Sequence, residues 1–230
     1  MKRRALRGGS TIEFVLGLMI LMPLVLGVGA IGINLIRTQQ TIQLARDAGH
    51  MYGRGVDFSM TPGGQGNVDI LSRLGASLGL SNTVNTSDNA LVVLTQLTYV
   101  DQPTCDAAKA ANAANTCSNR FKWVFVQRLN VGNKNMAGSQ YGNPRPWSAS
   151  DPQGVNLDSK GMISLDQYTD RSGAIANFTN ANGINPYAST NGNVSGLPSG
   201  QRLYVSEAFS TGFGMPPFVR GYPVYSFAFF

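Results

Sequence analysis

The sequence predicts an α+β protein, with a long N-terminal helix, apolar in its first half, packed on an antiparallel β-sheet of about four strands. Three observations carry this. Residues 14–36 hold no charged side chain, and a helical pattern runs on from them to Tyr52. Four later segments, at 90–100, 121–131, 202–210 and 223–230, are rich in β-branched and aromatic residues. With 230 residues, 43% of them hydrophobic, the chain can bury a real core, while a charged content of 13% argues against a solvated helical rod. The formal net charge of +6 arises at the N-terminus, because Lys2, Arg3, Arg4 and Arg7 precede the apolar run. Nucleic acid is not an expected partner.

The first element is the run FVLGLMILMPLVLGVGAIGINLI at 14–36. At about 1.5 Å per residue it spans roughly 35 Å as a helix, enough for the hydrocarbon of a bilayer. The denser basic cluster lies before it, with Arg37 and Arg46 after it. The positive-inside rule therefore places the N-terminus in the cytoplasm and the rest of the chain outside. A secretory signal peptide has a shorter apolar region of about 7–15 residues before its cleavage site. A plain signal anchor accounts for length and orientation but not for Glu13 at the edge of the run. On insertion scales a carboxylate deep in hydrocarbon costs about 2.5–3.5 kcal/mol, and less near the interface.

The string R-G-G-S-T-I-E-F before the apolar helix resembles the processing site of type IV pilin-like proteins. In such proteins a prepilin peptidase removes a short basic leader after a glycine, and a glutamate stands fifth in the mature chain. The resemblance implies cleavage between Gly8 and Gly9, with Glu13 in fifth place. The Glu13-Phe14 pair is similar to that of the tight-adherence (Flp) branch. A carboxylate one turn from the new α-amino group of Gly9 offsets the helix dipole. It can also meet the ammonium of a neighbouring subunit, which would set register in a filament. Further on, A-R-D-A-G-H-M-Y-G-R-G is similar to the stretch after the membrane helix in TadE-like pseudopilins. The resemblance thus implies a minor pilin or pseudopilin supporting adhesion. Its partners would be the prepilin peptidase, other pilin subunits through the N-terminal helix, the inner-membrane pilus assembly machinery and the lipid bilayer. Residues 1–8 would be the leader, 9–55 the membrane and stem helix, and 56–230 an exported domain of a bacterial inner-membrane protein. Pro23 lies later than that family would suggest and is expected to shift the kink of the helix. A single-pass membrane-anchored adhesin or binding protein, left uncut, is the alternative.

In the stem, Ile42, Ala45, Ala48 and Tyr52 form a stripe at three- and four-residue spacing, ending at Gly53-Arg54-Gly55. After a turn-rich break, Ile70, Leu71, Leu74 and Leu78 suggest a short amphipathic helix. Along 121–131 the alternation sets Phe121, Trp123, Phe125, Leu129 and Val131 on one side, with Lys122, Arg128 and Asn130 opposite. The aromatic segment 223–230 is expected to lie inside the sheet or its packing. Cys105 and Cys117 flank an Ala/Asn-rich stretch read as a loop, and outside the cytoplasm a disulfide is the expected state of such a pair. Closing so short a loop contributes about 3 kcal/mol in the chain-entropy picture. Residues 131–200 are dominated by Gly, Asn, Ser and Pro and read as a long insertion facing partners.

No catalytic residue, cofactor or metal site is expected. NLDSKGMISLDQY at 156–168 imitates a calcium loop, but Lys160 takes a ligand position and Gln167 replaces the bidentate glutamate. His50, the one histidine, lies on the stem near the membrane, where a serine–histidine–aspartate site is implausible. GGQGN precedes a helix without the lysine that a phosphate loop needs.

Overall fold

The computed structural model describes residues 9–59, 67–177, 200–214, 216 and 220–230. Helix α1 spans Gly9–Gly53, α2 Val68–Leu74, α3 Gln102–Ala111 and α4 Leu165–Asp170. The strands are β1 (Val84–Asn85), β2 (Ala90–Tyr99), β3 (Trp123–Asn133), β4 (Arg202–Ser210) and β5 (Val224–Phe229). They form one sheet in the order β1-β3-β2-β4-β5. The four long strands pair antiparallel, and β1 joins β3 in parallel. The protein is α+β, with a long apolar helix laid on an antiparallel sheet.

Helix α1 has 45 residues and runs unbroken through Pro23. It has two halves of different character. From Ile12 to Gly29 almost every side chain is exposed, and a Cβ added at Gly17, Gly27 or Gly29 would touch nothing. From Ala30 onward one side is covered. Thr41, Leu44, Ala45, Ala48 and Tyr52 are buried against the sheet, whereas Ile42 is 48% exposed. The contact stripe therefore runs through Thr41 and Leu44 instead of the expected Ile42. Small side chains at Ala45, Ala48 and Gly49 let the helix lie close to the strands.

Helix α2 is shorter than its hydrophobic pattern suggested. Val68 and Leu71 are buried, and a 3-10 turn over Ala76–Leu78 brings Leu78 under the same cover. Ile70 and Leu74 face outward, so the expected stripe is rotated. Gly75 ends the helix before Leu78 could follow in phase.

Strand β3 departs from simple alternation. Gln96 pairs with Gln127, but Leu97 pairs with Phe125, leaving Val126 as an extra residue. Such a bulge reverses which face the following side chains take. Phe125 joins the core on the far face, whereas Leu129 and Val131 turn toward α1. Phe121 lies outside the strand, 57% exposed, with the Arg120 guanidinium 4.4 Å from its ring centre. The bulge also sends Arg128 inward, where its side chain is 3% exposed.

The far face of the sheet is covered by the polar segment after β3. Tyr141, Val155, Ile163, Ala174 and Ala176 pack on Leu97, Phe125, Leu203 and Val205. The outer edge of β3 is closed by the same segment. Ile163 N donates to Val126 O, Arg128 N to Gly161 O, and Ala176 N to Trp123 O. Gly161 needs its left-handed φ of 68°, and a Cβ there would strike the Arg128 carbonyl. In its described part, this segment is a packed layer of the domain and not an open loop; residues 178–199 of the expected insertion lie outside the described residues.

The Ala-rich stretch after β2, expected as a loop, is helix α3. Asp101 caps it by accepting from Thr104 N at 2.9 Å and Thr104 Oγ1 at 2.6 Å, and Pro103 occupies the first turn. Strand β5 is at the sheet's edge, paired only with β4. Its aromatic content is explained by packing on both sides. Tyr225 lies on Phe209 and Phe229 near Tyr141. Phe230 crosses to α1, where its ring fills the space that a Cβ at Gly49 would need and lies 4.4 Å from the His50 ring. Removing residues 223–230 is expected to abolish cooperative unfolding of the domain. A protease-resistant, cooperatively melting truncated protein would show that β5 is dispensable.

Candidate functional site

Two regions carry the candidate functional residues, the N-terminal helix and the polar centre of the sheet's far face. Gly9 is the first residue of α1, and Gly8 lies outside the described residues. Glu13 and Phe14 lie at the bare end of the helix, with Phe14 68% exposed. Glu13 is the only charged side chain between Ile12 and Ile36. The helix is long and apolar enough to cross a membrane. Its bare part, Ile12–Gly29, is about 27 Å long, close to the thickness of a hydrocarbon core.

Below that part, three polar side chains one or two turns apart fasten α1 to the end of β4. The Asn34 amide accepts from Phe213 N at 2.7 Å and donates to Phe213 O at 3.1 Å. Arg37 Nη1 donates to Thr211 O at 2.8 Å. Thr41 Oγ1 and Ser210 Oγ lie 2.7 Å apart. Each of these bonds satisfies a polar group of the helix within the folded domain. Only the spacing of Asn34, Arg37 and Thr41 on one helix face could have announced them in the sequence.

Cys105 on α3 and Cys117 are joined in a disulfide, with Cα atoms 5.7 Å apart. The loop that carries Cys117 is held on α4. Asn115 Nδ2 donates to Thr169 Oγ1, and Asn119 Nδ2 to the carbonyls of Tyr168 and Arg171. Asp170 accepts from the hydroxyl of Thr116 and from both N and Oγ of Ser118. Burial by itself would raise the Asp170 pKa, but these hydrogen bonds outweigh it and hold the carboxyl below its usual value.

On the far face, Glu207 of β4 is fully buried. Its carboxylate accepts from Ser139 Oγ, from Gln140 N at 3.1 Å and from Tyr225 Oη at 3.0 Å. Arg128 Nη1 is 3.8 Å away, too far for a hydrogen bond but close enough for charge pairing. The guanidinium donates to Thr95 Oγ1 and, at 2.9 Å, to Asn143 Oδ1. Burial lowers the Arg128 pKa to about 10, with Glu207 opposing the shift, so it stays cationic at neutral pH. Burial, then the charge of Glu207, pushes the Tyr225 phenol up, so it remains a donor. The sequence suggested Arg128 only as part of a polar face, and Glu207 carried no signal.

The segment that imitates a calcium loop is a turn closed on itself. Asp158 Oδ1 accepts from Lys160 N and Met162 N, and Lys160 pairs with Asp57 at 3.5 Å. Gln167 Oε1 accepts from Asn156 N. Among the described residues no cluster of His, Cys, Asp or Glu could hold a metal ion. Comparison with protein-family models, curated proteins and solved structures finds no match for this chain.

Two predictions follow the geometry. Asp170→Asn is expected to lower the thermal midpoint at neutral pH. An Asp with a depressed folded pKa stabilises above its unfolded value of about 3.9, and that gain is lost as pH falls through the folded value. The gap between variant and wild type should therefore narrow on acidification below about pH 4; a gap independent of pH would assign Asp170 no charged role. Glu207→Ala is expected to cost about 3–5 kcal/mol in chemical denaturation, because Arg128 is left buried without its counter-charge. A loss below about 1 kcal/mol, the scale of an exposed pair, would show that the network is not an anchor.

Proposed function

We propose that this chain is a structural subunit of the pilin type, a minor pilin or pseudopilin of a tight-adherence pilus, without catalytic activity of its own. The observation that carries the reading is the division of α1. One continuous helix leaves an apolar half bare, with Glu13 at its tip, and commits its other half to a folded sheet domain. A secretory signal would not be continuous with the core of the mature domain. A bare apolar helix can dissolve in lipid before assembly and pack against its neighbours afterwards, without change in the domain behind it.

In this reading a prepilin peptidase cuts between Gly8 and Gly9 on the cytoplasmic side, and the helix stays in the product. Glu13 then faces the new ammonium of Gly9 in its own chain or in the next subunit. In an apolar bundle such pairing removes two uncompensated charges and fixes axial register. The sheet domain is exported, consistent with the disulfide and the positive-inside count. Pilus assembly machinery in the inner membrane would extract the subunit by its helix.

The test is the N-terminus of the mature protein from its native host, by intact mass and terminal sequencing, combined with Glu13→Ala. The expected product begins at Gly9, and the variant is cut normally but loses most of its incorporation into pili. A chain that keeps Met1 or Lys2 would instead support an uncut membrane-anchored adhesin. Normal incorporation of the variant would remove Glu13 from assembly.

A further inference from the structure

Past the end of α1, beside Gly55 and Asp57, a cavity of about 220 Å³ opens on the helix side of the sheet. Its floor is a row across three strands, because Gln96 of β2 stands opposite both Gln127 of β3 and Tyr204 of β4. Gln127 is fully engaged. Its Oε1 accepts from Tyr52 Oη at 2.8 Å, and its Nε2 donates to Lys160 O at 2.7 Å.

Gln96 is only half engaged. Its Oε1 accepts from Arg202 Nη1 at 3.2 Å, while Nε2 has no hydrogen bond among the described residues, although the residue is 3% exposed. Gln96 lines the cavity, and this nitrogen keeps access to it. A buried amide donor left without a partner is costly. Tyr204 Oη is likewise unpartnered among the described residues. On the walls, the Asp57 carboxylate accepts from Ser59 N at 2.8 Å and pairs with Lys160 at 3.5 Å. Arg202 forms no ion pair among the described residues.

The groups that converge on this space are of both kinds. Gln96 Nε2 and the Arg202 guanidinium donate, the Asp57 carboxylate accepts, and Tyr204 Oη does either. A carboxylate ligand would meet Asp57, and an ammonium would meet Lys160 and Arg202. A hydroxyl both donates and accepts, so a neutral polyol satisfies all of them. The Tyr204 ring, half-buried and edge-on to Tyr52 at 5.2 Å, adds an apolar surface for C–H groups. At about 30 Å³ per water the cavity takes the volume of roughly seven waters, the scale of one pyranose ring.

We propose that this cavity binds a neutral hexopyranose, its hydroxyls recognised by Gln96, Arg202, Asp57 and Tyr204 and one ring face lying on Tyr204. The site is at the opposite end of α1 from Glu13 and does not depend on how the N-terminus is processed.

Saturation-transfer NMR on the full-length protein, in a polyoxyethylene detergent that carries no sugar, tests this directly. The probes are the methyl pyranosides of glucose, galactose, mannose and N-acetylglucosamine, each titrated separately. Saturable transfer to at least one is expected, and the uronic acid of that sugar, the same ring with a carboxylate, should bind less tightly. Gln96→Leu keeps the volume but removes the free donor and should weaken binding about fivefold or more. Arg202→Gln, at an exposed position where folding is not at stake, should weaken it about two- to fivefold. Absence of saturable transfer to all four sugars with folded wild-type protein would overturn the proposal. So would tighter binding of the uronic acid, which would assign the cavity to anions, or wild-type affinity in both variants.

Discussion

The buried carboxylate of Glu207 is the constraint around which the domain is arranged. A carboxylate with no solvent contact needs donors from several directions, and here they come from separate parts of the chain. Ser139 and Gln140 supply them from the layer after β3, and Tyr225 from β5. Arg128 adds charge from β3 and is itself held by Thr95 on β2. All four long strands and the covering layer thus meet at one buried side chain. Such a network adds little net stability over an apolar core, but it penalises every arrangement in which a member is missing. Its effect is on specificity: Arg128 can meet Glu207 only if β3 carries its bulge.

The bulge at Val126 links that centre to the helix side. By reversing the faces of β3 it gives Leu129 and Val131 to α1 and delivers Arg128 to Glu207. One inserted residue therefore serves both cores. The stem depends on the helix-side core and on the contacts of Asn34, Arg37 and Thr41 with the end of β4. Because these are short-range and satisfied, the domain holds the helix at a defined point. The apolar half projects from it bare, long and apolar enough to cross a membrane.

Much of the outline was legible in the sequence because it depends on short-range signals. The apolar run, the helix continuing to its end at Gly53, the four long strands and the cysteine pair all rest on period or composition within a dozen or so residues. Helix α3 was missed although Asp101 and Pro103 announce it, because Ala and Asn together were read as loop. The stripe on α1 was displaced from Ile42 to Thr41 and Leu44, and on α2 Val68 takes the place of Ile70 and Leu74 beside the expected Leu71 and Leu78. Hydrophobicity by itself does not say which side of a short helix meets the sheet. At Thr41 the decisive contact is a hydroxyl bonded to Ser210, far away in the chain.

What the sequence determined by itself was the class of the fold, the length and charge asymmetry of the membrane-compatible helix, and the isolation of Glu13 at its tip. Those follow from local periodicity and from the cost of charge in an apolar medium. Tertiary structure alone decided that β5 lies at an edge, that the Gly- and Asn-rich layer covers the sheet, and that Arg128 is buried beside Glu207. These follow from strand order and from a one-residue register shift. Both are set by which distant segments satisfy one another's hydrogen bonds and volume, and neither leaves a mark on any single stretch of the chain.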